Sequence, residues 1–195
     1  DEAEVAHRIE PFLGDICAEV WKHASQRRIL GFTPNVDIAQ KMVAASKKVG
    51  FTRVDWVSGE PHCSLNERRA KIAAYKAGEI QLLWNAMLLT EGFDQDDIDA
   101  LVMCRPTVVR ALYAQMAGRG TRPHNSVVAA LNAASSAAER RRIIASSCKP
   151  HVLILDPLWL HEKHDLAEAA SLFCKNVEQQ KLMKGRKGDL LTVQA

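Results

Sequence analysis

Residues 5–24 set Val5, Ile9, Phe12, Leu13, Ile16, Cys17, Val20, Trp21 and Ala24 on one stripe at the three-and-four spacing of a helix. An amphipathic helix that must dock on something is predicted there, with Pro11 and Gly14 bending it. From Ile29 onward the pattern changes to short apolar runs alternating with capped helices. The runs "RRILGF", "RVDWV", "IQLLWN", "DALVMC" and "HVLIL" read as five strands. Thr33 and Pro34 offer an N-cap and a first-turn proline for a helix through Lys48, which Gly50 closes. Ser64 and Glu67 form a capping box that opens a helix ending at Gly78. Thr107 can cap another helix, stopped by Pro123, and the Ala/Ser-rich residues 126–148 read as one more. Strands this apolar, separated by helices, imply a three-layer α/β domain with a parallel sheet covered on both faces. Ligands of such sheets sit beyond the carboxyl ends of the strands, so the loops after residues 32, 57, 84 and 104 are expected to carry the site.

Composition narrows the class without naming a function. At 195 residues the chain can form one well-cored domain, alone or with an appendage, and 47% hydrophobic with 25% charged residues excludes disordered and fibrous classes. The balance of 26 Lys and Arg against 23 Asp and Glu, a net charge of +3, permits a nucleic-acid partner but does not argue for one. Cys17, Cys63, Cys104, Cys148 and Cys174 are scattered with no CxxC pair, against a disulfide framework or zinc knuckle and for a reducing compartment. No apolar run approaches the about 18 residues of a membrane span, and the acidic start is unlike a signal peptide. A cytoplasmic protein with no membrane partner is expected, or a nuclear one in a eukaryote.

Two stretches carry chemistry. In "YAQMAGRGTRP", residues 113–123, a helix would put Gln115, Gly118, Arg119 and Arg122 on the face that ordinarily holds apolar side chains. Gly118 and Gly120 would each cost about 1 kcal/mol in a helix interior, which suggests that something approaches closely. Paired guanidiniums suit the oxygens of a terminal phosphate. In "TEGFD", Gly92 allows a tight turn and Asp94 sets a carboxylate that can take a ribose hydroxyl pair. Together these describe half of a nucleoside triphosphate site. The other half is missing: there is no GxxxxGK[ST], and Pro123 stands where GxGxxG needs its third glycine. No metal site is expected, since "HEKH" sets His161 and His164 three apart where a zinc helix needs four. "ERRR", residues 139–142, reads as a solvated helix end, and Trp56 and Trp84 as core.

These residues resemble the second RecA-like domain of superfamily 2 helicases and translocases of the DEAD/DEAH-box type. "ILGFTPN" is similar to motif IV, "NAMLLTEGFD" to motif V and "QMAGRGTR" to motif VI, written QxxGRxxR. "VSGE", followed by "NERRAKIAAYKAGEIQLL", is similar to the segment between motifs IV and V, so the resemblance covers about residues 27–124 and returns at "HVLIL". It implies a RecA-like fold and an arginine-finger role for Arg119 and Arg122 toward ATP held by a first domain, with Gln115 steadying them. Gly92, Asp94 and Gly118 are implied at the nucleotide, and Thr33, Asn35, Ser58 and Gly59 at the backbone of one nucleic-acid strand. Ala86 stands where the RNA helicases of the DEAD-box branch have Thr, and Gln115 and Met116 where they have His-Arg, which favours DNA over RNA.

The expected organisation is a linker or helix over residues 1–26, the RecA-like domain over 27–160 with a helical insertion at 126–148, and a basic tail over 161–195. The expected function is that of the C-terminal motor domain of an ATP-dependent DNA helicase, inactive without its N-terminal RecA-like partner, which would hold most of the ATP and Mg²⁺. Two alternatives are a duplex translocase subunit of a restriction or remodelling machine, and a non-enzymatic α/β module whose arginines meet an acidic protein.

Overall fold

The structure, a computed structural model, describes residues 2–86, 95–107 and 110–160. It opens with helix α1 (Glu2–Ile9), a single 3₁₀ turn (Glu10–Phe12) and α2 (Leu13–Ala24). There follow β1 (Ile29–Thr33), α3 (Val36–Val49), β2 (Val54–Ser58), α4 (Leu65–Ala77), β3 (Leu82–Ala86) and β4 (Ala100–Met103). Helices α5 (Arg110–Gly118), α6 (Asn125–Ala133) and α7 (Ala137–Ala145) lead to β5 (Leu153–Leu155). The strands form one sheet in the order β2-β3-β1-β4-β5, and every neighbouring pair is parallel. All five apolar runs are therefore strands. β1, β3 and β4, flanked on both sides, are buried along their whole length, whereas the outer strands β2 and β5 are partly open.

The pleat divides the core into two layers because successive side chains leave opposite faces of a strand. Ile29, Leu82, Trp84, Ala86, Ala100 and Val102 meet Leu13, Cys17, Val20, Ile38 and Met42 of α2 and α3. Leu30, Phe32, Leu83, Leu101 and Met103 meet Tyr75 of α4 and Tyr113, Met116 and Ala117 of α5. The first layer includes Ala6, Ile9 and Ala24, so most of the amphipathic stripe of residues 5–24 packs against this sheet, while Phe12 and Trp21 stay exposed. Trp84 is fully buried, its indole Nε1 donates to Ser46 Oγ at 3.0 Å, and its ring fills the space beside β1 that Gly31 leaves. A Cβ at Gly31 would lie 2.2 Å from that ring.

Several boundaries differ from the sequence expectation. The N-terminal bend is the 3₁₀ turn at Pro11 alone, and Gly14 continues inside α2. The cap of α3 is Asn35, whose extended backbone aims Oδ1 at the Ile38 amide, 2.9 Å away; Thr33 stays in β1. Residues 126–148 are two helices, because Ser136 takes an extended conformation and caps α7 by accepting from the Glu139 amide at 3.2 Å. The capping box at Ser64 and Glu67 is formed, and Gly78 ends α4 in the left-handed region with φ +84°. Trp56 is only half-buried and lies beneath Lys71 Nζ, 4.6 Å from its ring centroid. The four cysteines among the described residues are free thiols, and no described helix is long and apolar enough to cross a membrane.

Candidate functional site

Among the described residues, those singled out from the sequence fall on two opposite edges of the sheet. At the carboxyl edge, Thr33 and Ser58 are the last residues of β1 and β2, and both align with Ala86 of β3. Both are buried. Thr33 Oγ1 shares its one hydrogen between the carbonyls of Asn35 (3.2 Å) and Asn85 (3.3 Å), and Ser58 Oγ donates to the Gly59 carbonyl at 3.0 Å. Their hydroxyl hydrogens are spent on main chain, so these two side chains brace the edge. Asn35 and Gly59 are half-buried and reach the surface beside them. Asn35 also opens α3, where first-turn amides and the helix dipole favour an anion.

The arginines lie at the other end of the strands. Helix α5 stops at Gly118, and the chain turns through short bonds from Arg119 N to the Met116 carbonyl (3.2 Å) and from Gly120 N to the Ala117 carbonyl (3.0 Å). The single helical face of Gln115, Gly118, Arg119 and Arg122 is therefore not formed: only Gln115 and Gly118 are in the helix, and Pro123 is not what ends it. The cause is Gly120. A Cβ there would stand 2.6 Å from Val152 Cγ2 and 3.0 Å from Leu101, so only a glycine lets the turn settle against the starts of β4 and β5. Gly118 differs, since a Cβ added to it would meet nothing within 4 Å. Gln115 and Arg122 are exposed and Arg119 is half-buried. The carboxyl edge thus holds Thr33 and Ser58 at the strand ends and Asn35 and Gly59 in the loops beyond, but not the arginines. Gly92 and Asp94 lie outside the described residues, as do residues 108 and 109, between Thr107 and α5, and "HEKH".

The amino edge is dense with charge. Arg28 donates its amide to Asp99 Oδ1 at 2.8 Å, and its guanidinium meets Asp97 at 3.0 Å and the Ile80 carbonyl at 3.1 Å. Arg27 lies 3.6 Å from Asp99. The Asn125 amide, at the start of α6, donates to the Asp96 carboxylate. Lys149, four residues ahead of β5 and only 7% exposed, donates from Nζ to the main-chain carbonyls of Arg122 (2.7 Å) and Asp96 (2.8 Å). Burial holds its ammonium below the usual lysine range, while Asp99, Asp96 and Asp97 nearby pull the other way. Burial likewise raises the carboxyl of Asp99. Sequence reasoning missed Lys149 and Asp96, since a single lysine in "SSCKP" carries no periodic or motif signal. Among the described residues no three His, Cys, Asp or Glu side chains gather as a metal site.

Residues 12–124, more than half of the chain, match the family described as the helicase conserved C-terminal domain. The chain belongs to that family. As a helicase C-terminal domain it is 47% identical over 60 residues to a Saccharomyces cerevisiae protein named "Putative ATP-dependent helicase IRC3", which covers 31% of this chain and 9% of that one. It is also 38% identical over 104 residues to a Schizosaccharomyces pombe protein named "Putative mitochondrial ATP-dependent helicase irc3", covering 53% of this chain and 17% of that one. The chain thus spans less than a fifth of either relative. Solved structures share the fold: a fragment described as "a putative HsdR subunit of a type I restriction enzyme" from Vibrio vulnificus YJ016 (TM-score 0.57, 16% identity, 80% of this chain and 28% of that one). The C-terminal domain of the DEAD-box protein Dbp5 is similar too (TM-score 0.52, 16% identity, 75% of this chain and 70% of that one). The helicase C-terminal domain is thus a RecA-like parallel sheet of five strands between helices.

Proposed function

We propose that this helicase C-terminal domain is the second motor domain of an ATP-dependent DNA helicase. It presents Arg119 and Arg122 to ATP held mainly by an N-terminal RecA-like domain of the same protein, and it grips one DNA strand through its carboxyl edge. The observation that carries the reading is the motif VI turn: its main chain is fastened to the sheet by Gly120, yet Arg122 remains exposed. Such a turn can hold a guanidinium steady against charge developing on a transferring phosphoryl group, where preorganised donors act most strongly. Gly118 leaves open space beside it for a nucleotide and the facing domain, and Gln115 is exposed on the same helix end. Gly92 and Asp94 are assigned to the ribose. Mg²⁺, bound with ATP on the other domain, would supply charge neutralisation at the phosphates.

At the carboxyl edge Asn35 and Gly59 are assigned direct contact with DNA phosphates, and Thr33 and Ser58 shape the surface that carries them. These contacts set position along the strand rather than sequence. This domain alone is expected neither to hydrolyse ATP nor to bind it tightly, because half of the shared site lies on the other domain.

The deciding experiment replaces Arg119 with Ala in the whole protein. DNA-stimulated ATP hydrolysis is expected to fall by about 10³-fold or more while ATP and DNA binding persist. Unchanged hydrolysis would refute the arginine-finger assignment. A strand-displacement assay on the same protein distinguishes a helicase from a translocase that leaves the duplex paired, and comparing DNA with RNA as the stimulating strand tests the choice of nucleic acid.

A further inference from the structure

We infer that Lys149 is a positioning residue for the arginine turn, a clasp that fastens the main chain of Arg122 to that of Asp96 so that the segments following motifs V and VI are held as one unit. The inference rests on the function proposed above. Three observations carry it. Lys149 Nζ donates at once to the carbonyls of Arg122 and Asp96, at 2.7 and 2.8 Å, two points far apart in sequence. The Asp96 carboxylate accepts from the Asn125 amide, just past Arg122, so a second bond joins the same two segments. Lys149 itself is set in place by its own turn, in which the Lys149 amide donates to Ser147 Oγ at 3.1 Å.

A merely stabilising role fits this arrangement poorly. Taking an ammonium out of water is expensive, and its direct partners here are neutral carbonyls, not a carboxylate in contact with it. An apolar side chain of similar length would fill the space without that desolvation cost, though it would leave both carbonyls without this donor. What it would lack is the pair of directed donors that fix where the Arg122 main chain lies. The Arg122 side chain stems from that main chain, so where its guanidinium can reach depends on the clasp. The family match ends at residue 124, so Lys149 lies beyond the matched segment and reaches back into it.

The test is a double-mutant cycle in the whole protein, reading kcat and KM for DNA-stimulated ATP hydrolysis. Lys149→Met is expected to lower kcat about tenfold, equivalent to about 1.4 kcal/mol in the barrier, with KM for ATP changed by less than about twofold. In an Arg122→Ala background the same substitution is expected to cost nothing further. An equal loss in both backgrounds would mark Lys149 as a general structural residue and overturn the inference, as would an unchanged kcat in the single variant. If Arg122→Ala alone leaves hydrolysis intact, the functional reading fails first, and the positioning role with it. Hydrogen exchange over residues 119–122 reads the clasp separately: faster exchange in Lys149→Met supports it, and unchanged exchange overturns it whatever the kinetics. Should Lys149→Met not fold, Lys149→Gln keeps one donor group and is read the same way, with a smaller loss expected.

Discussion

The two edges of the sheet spend their polarity in opposite ways. At the carboxyl edge the hydroxyls of Thr33 and Ser58 are buried and turned inward onto carbonyls, so the surface is left to half-buried Asn35 and Gly59. At the amino edge the main chain is turned inward, held by Gly120 and Lys149, and Arg122 and Gln115 are left outside. One edge is suited to fit a shape; the other is suited to aim a charge. On the proposed function, the difference follows from what each ligand would ask for. A nucleic-acid strand must slip from one phosphate to the next, whereas a transferring phosphoryl group must be met at one place.

The comparison can be broken most severely at Gly120. Replacing it with Ala drives a Cβ into Val152 and Leu101, and a loss of about 1–3 kcal/mol is expected in denaturant unfolding. Gly118→Ala is the contrasting case two residues away. With open space around it, the variant is expected to gain about 0.4–1 kcal/mol from reduced freedom of the unfolded chain, while hydrolysis by the whole protein falls. A Gly118→Ala protein that is both more stable and fully active would remove the need for clearance at that position.

At the carboxyl edge, Asn35→Ala removes the cap of α3 and is expected to cost about 1 kcal/mol, read as a lower midpoint in a urea titration. If Asn35 also meets a phosphate, DNA binding weakens by a similar factor at every salt concentration while the log-log salt slope, set by charged contacts, stays the same; unaltered affinity leaves it a cap only. The smallest effect is expected from Glu67→Gln at the start of α4. The Ser64 amide and hydroxyl hold the Glu67 carboxyl below the 4.5 of a free glutamate. Because the folded value is the lower one, this stabilisation is present above pH 4.5 and is lost as pH falls through the folded value. The stability difference between wild type and Glu67→Gln should therefore shrink on acidification, measured by thermal unfolding across that range.

Much of the sheet was legible because each strand is an apolar run bounded by capping residues, and burial on both faces leaves little choice of element. The capping box at Ser64 and the left-handed Gly78 are local chemistry, readable without tertiary context. Misreadings arose where two local signals competed. Thr33, Pro34 and Asn35 all suit a helix start, and the parallel ladder kept Thr33 in β1 by pairing it with Ala86. The arginine stripe matched a helical period, but Gly120 fits between Leu101 and Val152, partners that no spacing along the chain announces. Lys149 was invisible for the same reason. Its meaning lies wholly in carbonyls 27 and 53 residues away.

The clasp also makes the chain return, at Lys149, to the point it left at Arg122. Between them α6 and α7 add no buried residue of their own to either core layer, and Ala134 is the buried position where the two helices join. Loop entropy grows slowly with length, so this excursion is a permissive site for engineering. A fluorophore or affinity tag placed on the exposed face of α6 or α7 would report on, or tether, the side that carries the arginine turn without rewriting the sheet.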